Sequence, residues 1–183
     1  MALTHSKGMP LGTPAPPFAL RGVDGETWTL DDFADAVVLV VVFTCNHCPY
    51  AQAAEDRLIE LQGAYADRGV RFVAINPNDA ERYPEDSFEA MRERAQHKGY
   101  VFPYLHDATQ EVARAYDAAC TPDIFVFDAE RRLTYNGRLD DHWRDPSKVT
   151  RQDLRAAIDA TLEGKALTFD PAPSIGCSIK WRP

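Results

Sequence analysis

Long apolar stretches are missing from this 183-residue chain. Its only strongly apolar run, Val37–Phe43, has seven residues, far below the roughly 20 needed to span a bilayer as a helix. Positive charge is also scarce: 20 Lys and Arg stand against 28 Asp and Glu, a net charge of -8. The acids are scattered rather than massed, which argues against a nucleic-acid polyanion as partner. Four cysteines are too few for a disulfide-built scaffold. The first 20 residues lack the unbroken apolar core of a secretory signal, because Pro10, Pro14, Pro16 and Pro17 interrupt it. A cytoplasmic setting without membrane contact is expected. Internal repeats and low-complexity tracts are absent.

What is present suits one globular domain spanning residues 1–183, with 45% apolar and 26% charged residues. Residues 1–17 read as an extended, proline-rich lead-in. Asp24-Gly25 is a turn dipeptide between two short extended segments and predicts an N-terminal β-hairpin. Val37–Phe43, apolar at every position, reads as a central strand covered on both faces. From Tyr50 to about Asp67, Ala54, Leu58, Leu61 and Tyr65 form a helical stripe that Gly69 closes.

A strand is expected over Val70–Asn76, then an inserted helix opened by Asp86 or Ser87 and closed by Gly99. A short extended piece over Phe102–Leu105, a helix over Gln110–Ala118 and two strands joined at Ala129-Glu130 follow. Phe125 and Phe127 alternate along the first of these two strands and read as core. The final helix covers about Arg151–Glu163, and a tail over 165–183 packs on the domain. This order gives an α/β sandwich: a central mixed β-sheet flanked by helices on both faces.

The chemistry concentrates in FTCNHCPYA, where strand gives way to helix. Cys45 and Cys48 fall on the turn and the first helical turn, where amide N–H groups lack intrahelical partners. Such a place stabilises a thiolate, and cysteine pKa values there fall from about 8.5 to roughly 3.5–7.5. Two intervening residues let the sulfurs reach bonding distance, so a disulfide can open and close without moving the fold. His47 either adds positive charge or a donor beside the thiolate or is a solvent-facing loop residue. Pro49 is tolerated in the first helical turn and stiffens the loop.

FTCNHCPYA, the later CTPDIFVFD and the lead-in PAPPFALRGVDGETWTLDDF together resemble the thioredoxin-like redoxins. More narrowly, they resemble a bacterial peroxiredoxin-like branch with a C-x-x-C motif, related to the alkyl hydroperoxide reductase and thiol-specific antioxidant proteins. The likeness covers about Gly12–Gly164. It implies a thioredoxin-like fold and a thiol–disulfide oxidoreductase whose only redox group is the Cys45–Cys48 disulfide, with no added cofactor. Cys45 would attack and Cys48 resolve, with Asn46, His47 and Pro49 as modulators. Thr121-Pro122 would be a cis-proline segment offering main-chain groups to the substrate. The partners implied are a dithiol reductant protein or a small thiol, and a disulfide-containing protein or a hydroperoxide.

Two departures bear on mechanism. The buried acid that thioredoxins hold six residues before the first cysteine is replaced by Leu39, leaving water or a residue such as Glu55 to take the Cys48 proton. The P-x-x-x-[TS]-x-x-C pattern of peroxiredoxins, aligned on Cys48, has Val41 and Cys45 at its Pro and Thr places. Hydroperoxide reduction through Cys48 or Cys45 is therefore the alternative reading, and a metal carrier the third.

Cys45, His47 and Cys48 could ligate an ion completed by His97, His106, Cys120 or Cys177. No second ligand cluster supports that reading, so no metal is expected. Cys120 and Cys177 are possible accessory thiols, or else simply packed small residues. Asp140, Asp141 and His142 read as a polar loop, and Asp79 and Glu81 as solvated acids.

Overall fold

The computed structural model describes residues 3–183; the first two residues of the expected lead-in lie outside the described residues. Strand β1 (Leu3–His5) opens the chain, followed by the hairpin β2 (Ala19–Gly22) and β3 (Thr27–Thr29). Asp24 and Gly25 do form its turn, with Gly25 at a φ of 94° that favours glycine. Then come β4 (Val38–Phe43), α1 (Pro49–Tyr65), β5 (Val70–Asn76), α2 (Phe88–Lys98) and β6 (Tyr104–His106). The chain continues through α3 (Glu111–Ala115), β7 (Cys120–Thr121), β8 (Asp123–Phe127), β9 (Leu133–Gly137), α4 (Asp153–Leu162) and β10 (Ile175–Ser178).

Seven strands form one sheet in the order β3-β2-β6-β5-β4-β8-β9. Its centre, β4 with β5 and β5 with β6, is parallel, because α1 and α2 serve as crossovers. Its flanks are antiparallel, so the sheet is mixed as expected. The unbroken apolar run of β4 is explained by its two faces. Val38, Val40 and Val42 meet Ala54, Leu58 and Leu61 of α1 and Leu154, Ala157 and Ile158 of α4. Leu39, Val41 and Phe43 meet Val112 and Ala113 of α3 together with Phe33, Phe125 and Phe127.

Four expectations need correction. The tail does more than pack: β10 is the middle strand of a second sheet, between β1 and β7. The lead-in likewise contributes β1 to that sheet. Asp79 is buried rather than solvated, and its backbone N–H donates to Lys180 O in the tail at 3.0 Å. The helix expected over Gln110–Ala118 shortens to α3, since Gln110 and Asp117 both adopt positive φ.

Candidate active site

β4 ends at Phe43 and delivers Thr44, whose N–H continues the ladder to Ile75 O at 2.8 Å. Five residues later α1 begins, with Pro49 in its first turn and Cys48 in the extended capping position. The C-x-x-C therefore lies just ahead of the helix rather than within its first turn. Its two sulfurs converge on one residue of β7. Cys45 Sγ lies 3.1 Å from Thr121 Oγ1, and a protonated Cys48 donates to Thr121 O at 3.2 Å. The Thr121–Pro122 bond is cis. Both cysteines are almost fully buried, Cys45 at 2% exposed and Cys48 at 0%.

Of the two thiols, Cys48 is the more acidic. Its pKa is drawn well below the ordinary thiol value, first by the Cys45 thiol that donates to it. The Cys177 thiol and the Ala51 and Cys177 amides add to this, against the opposing effect of burial. Cys45 is correspondingly raised, because its proton is held by Cys48, because it is buried, and because Asp86 is nearby. Burial, then the neighbouring Asp123, also pushes Cys120 up, and its thiol contacts Pro122 O at 3.5 Å. Burial and the Cys48 charge raise Cys177 to about 12.

The loop between the cysteines is tied down by Asp86, one of the two residues whose position suits the cap of α2. Ser87 caps α2, its Oγ accepting from Ala90 N at 3.3 Å. Asp86 turns instead into the site, fully buried. It accepts from Asn46 N at 2.7 Å, Asn78 Nδ2 at 2.8 Å and Asn76 Nδ2 at 3.2 Å, and pairs with His47 Nδ1 at 2.5 Å. Asn46 is further held by Tyr104 OH donating to its Oδ1 at 2.9 Å and by its own Nδ2 donating to Glu85 O at 2.8 Å.

His47 stacks on Tyr83 and is therefore a built part of the loop, not a solvent-facing residue. Its ring nitrogen, Cys45 Sγ and an Asp86 oxygen lie within 4.8 Å of one another, an arrangement that could hold an ion, although the His47–Asp86 contact already pairs two of the three. Asp86, Asn76, Asn78 and Tyr104 were missed as site residues. Only the parallel pairing of β5 with β4 brings the end of β5 beside the strand that leads to Cys45.

Other expected participants stand elsewhere. Glu55 does not serve Cys48: it is buried in an ion pair with Arg94 at 2.5 and 2.7 Å and accepts from Tyr100 OH at 2.9 Å. Asp140 pairs with Arg57, Asp141 accepts from Thr150 N at 2.9 Å, and His142 Nδ1 accepts from Asp145 N at 3.0 Å, so that segment is a structured polar loop. The main-chain edge of Thr121, expected to face a substrate, already pairs with β10 in the register Cys177 to Thr121. Beside the site, a cleft of about 290 Å³ is bordered by Tyr50, Pro122, Arg57, Arg138 and Trp143. Tyr50, two residues after Cys48, stacks on Trp143 at 3.9 Å.

Fold and site together define a thioredoxin-like protein with a buried dithiol facing a cis-proline segment. The chain belongs to the AhpC/TSA family, whose model matches residues 11–136. It is similar to an uncharacterised conserved protein of Geobacillus kaustophilus, with a TM-score of 0.95 and 50% identity, covering 100% of this chain and 98% of that one. It is 27% identical to the thiol-disulfide oxidoreductase ResA of the same species over 68% of this chain and 67% of the relative. The thioredoxin-like architecture is shared with a putative thiol:disulfide interchange protein DsbE of Chlorobium tepidum, with a TM-score of 0.67 and 22% identity over 85% and 99% of the two chains. Among the described residues, no helix is long and apolar enough to cross a membrane.

Proposed function

We propose that this protein is a thiol–disulfide oxidoreductase in which Cys45 and Cys48 cycle between dithiol and disulfide. The observation that carries this reading is the convergence of both sulfurs on Thr121, with Cys48 the more acidic thiol of the pair. A thiol of lowered pKa is the better leaving group. An incoming thiolate therefore attacks the disulfide at Cys45, forming a mixed disulfide there and releasing Cys48 as a stabilised thiolate. Run in reverse, the Cys48 thiolate resolves a mixed disulfide held by Cys45. With Cys45 in the mixed disulfide its thiol no longer donates, and the Cys177 thiol and the Ala51 and Cys177 amides are the groups that favour the Cys48 thiolate where Leu39 stands in place of a buried acid.

Stabilising the thiolate stabilises the reduced form, so the disulfide is a strong oxidant of thiols. Substrates are thiol- or disulfide-bearing molecules, and the cleft between Pro122, Tyr50 and Trp143 receives the groups that flank the reacting sulfur. In a reducing cytoplasm, the setting expected from the sequence, a dithiol protein or small thiol is the exchange partner.

Trapping tests the assignment. Cys48→Ser should accumulate mixed disulfides at Cys45 when mixed with a disulfide-bearing substrate, whereas Cys45→Ser should accumulate far less. Equal trapping by the two variants, read by mass spectrometry, would reject the order given.

The same charge favours a second reading, hydroperoxide reduction. Here the Cys48 thiolate attacks the peroxide oxygen to give a sulfenic acid and an alcohol or water, and Cys45 condenses with it to the disulfide with loss of water. The Thr that orients peroxide in peroxiredoxins is replaced by Cys45. Slow consumption of peroxide relative to disulfide exchange is the expected result, and the reverse ranking would promote this reading.

A further inference from the structure

We propose that Cys177 is a third member of the redox centre, so that Cys48 forms two alternative disulfides, one with Cys45 and one with Cys177. This rests on the reading of Cys45 and Cys48 as the exchanging pair and adds to it a sulfur delivered from the C-terminal end of the chain.

Three observations carry the proposal. Cys177 is buried in one small cluster with Cys45, Cys48 and Ala51, and its thiol and amide are among the groups that draw the Cys48 thiol toward its thiolate form. The strand that carries it is fixed. β10 pairs on both edges, Ile179 N donates to Ala119 O at 3.2 Å, and Lys180 N donates to Asn78 Oδ1 at 2.9 Å. Gly176 lies so close to Thr121 O that no side chain fits between them, and this lets β10 come up against the cis-proline segment.

The third observation is the pleat. Cys177 stands opposite Thr121, whose hydroxyl meets Cys45, while Ser178 stands opposite Cys120. Successive residues of a strand point to opposite faces, so the register turns Cys177 toward the dithiol and Cys120 away from it. Of the two accessory thiols singled out in the sequence, the fold selects one.

The step is an isomerisation. In the Cys45–Cys48 disulfide, Cys177 as thiolate attacks Cys48 Sγ; Cys45 is the poorer leaving group, and the fixed place of Cys177 in the Cys48 cluster, not leaving-group acidity, selects the sulfur attacked. The Cys48–Cys177 bond forms as the Cys45–Cys48 bond breaks, and Cys45 leaves as a thiolate that takes up the proton Cys177 released. One disulfide and one thiol stand on each side, and no electrons enter or leave. The migration frees Cys45 for another exchange while the protein still carries its oxidising equivalent, and it ties β10 covalently to the start of α1.

The test uses the full-length chain, reduced and then treated with one equivalent of diamide. Samples are acid-quenched over time, alkylated and digested, and the linked peptides are identified by mass spectrometry. Wild type should yield a Cys45–Cys48 peptide first and a Cys48–Cys177 peptide growing behind it. Cys45→Ser should yield Cys48–Cys177 as its dominant disulfide, and Cys177→Ser only Cys45–Cys48.

A Cys45→Ser protein with a native-like melting temperature whose Cys48 and Cys177 are both alkylated after oxidation would overturn the proposal. Should that variant fail to fold, wild type decides: a growing Cys48–Cys177 peptide supports the proposal, and its absence over the full time course overturns it. In that failure a persisting Cys45–Cys48 peptide leaves the oxidoreductase reading standing, whereas absence of both peptides removes both.

Discussion

Asp123, the residue after the cis-proline, is a buried acid with only partial compensation. Its carboxylate accepts from Ala119 N at 3.1 Å and Asn136 Nδ2 at 3.2 Å, yet burial raises its pKa from 3.8 to about 7. The sign follows from linkage. Between about pH 4 and pH 7 the folded state binds more protons at this position than the unfolded chain does. The stability contributed by the neutral form is therefore complete below the unfolded value near 4 and is lost as pH rises through about 7. A tenfold change in proton affinity is worth about 1.4 kcal/mol, so the full effect is on the order of a few kcal/mol. Asp123→Asn keeps the shape and removes the titration. Its thermal stability should decline less than that of wild type between pH 4 and pH 8, and an unchanged slope would show that other groups set the pH dependence.

At the scale of elements, two glycines make opposite predictions. Gly176 of β10 sits against the Thr121 backbone, which cannot yield as a flexible side chain could. Gly176→Ala should cost about 1–3 kcal/mol, as overpacking does, and should loosen β10 enough to raise the alkylation rate of Cys48 and Cys177. Gly63 lies within α1 with nothing near the place of an added Cβ. Gly63→Ala should stabilise by about 0.5–1 kcal/mol through helix propensity alone, leaving thiol reactivity unchanged. Chemical denaturation of the two variants measures both signs, and protection of Cys177 unaffected by Gly176→Ala would argue against β10 as the cover of the site.

The same elements account for how much could be read from sequence. The strand β4 was legible because VLVVVF allows no exposed face, and α1 because its apolar stripe repeats with helical period. The cysteines stood out by spacing, and the cis-proline by resemblance. β1 and β10 were not legible. Each has only three or four residues, and their pairing joins the two ends of the chain, so no local pattern announces it. Asp86 misled because it precedes a helix beside Ser87, where either residue suits a cap. Only the parallel pairing of β4 with β5 reveals that its carboxylate closes the loop around His47.

At the scale of the whole molecule, stability and redox state are coupled through one charge. A disulfide between Cys45 and Cys48 closes a loop of about four residues, for which chain entropy predicts only about 2 kcal/mol of stabilisation. The reduced protein instead gains from a thiolate whose pKa lies well below its ordinary value, each tenfold drop in proton affinity contributing about 1.4 kcal/mol. A drop of about a hundredfold already outweighs the loop closure, and the reduced form should then melt at the higher temperature. Because the folded pKa of Cys48 is lowered, its contribution is fully present above the ordinary thiol value and is lost as pH falls through the folded one. The oxidised protein has no such group. The gap in melting temperature between reduced and oxidised protein should therefore be widest at neutral to mildly alkaline pH, should close in acid, and should shrink again above the ordinary thiol value, where the raised Cys45 disfavours the folded reduced state. The midpoint potential against glutathione should likewise lie above the value of about -270 mV known for thioredoxin. An oxidised form more stable than the reduced one at neutral pH would mean that the donors around Cys48 do not hold a thiolate, and the assignment of its charge would fail with them.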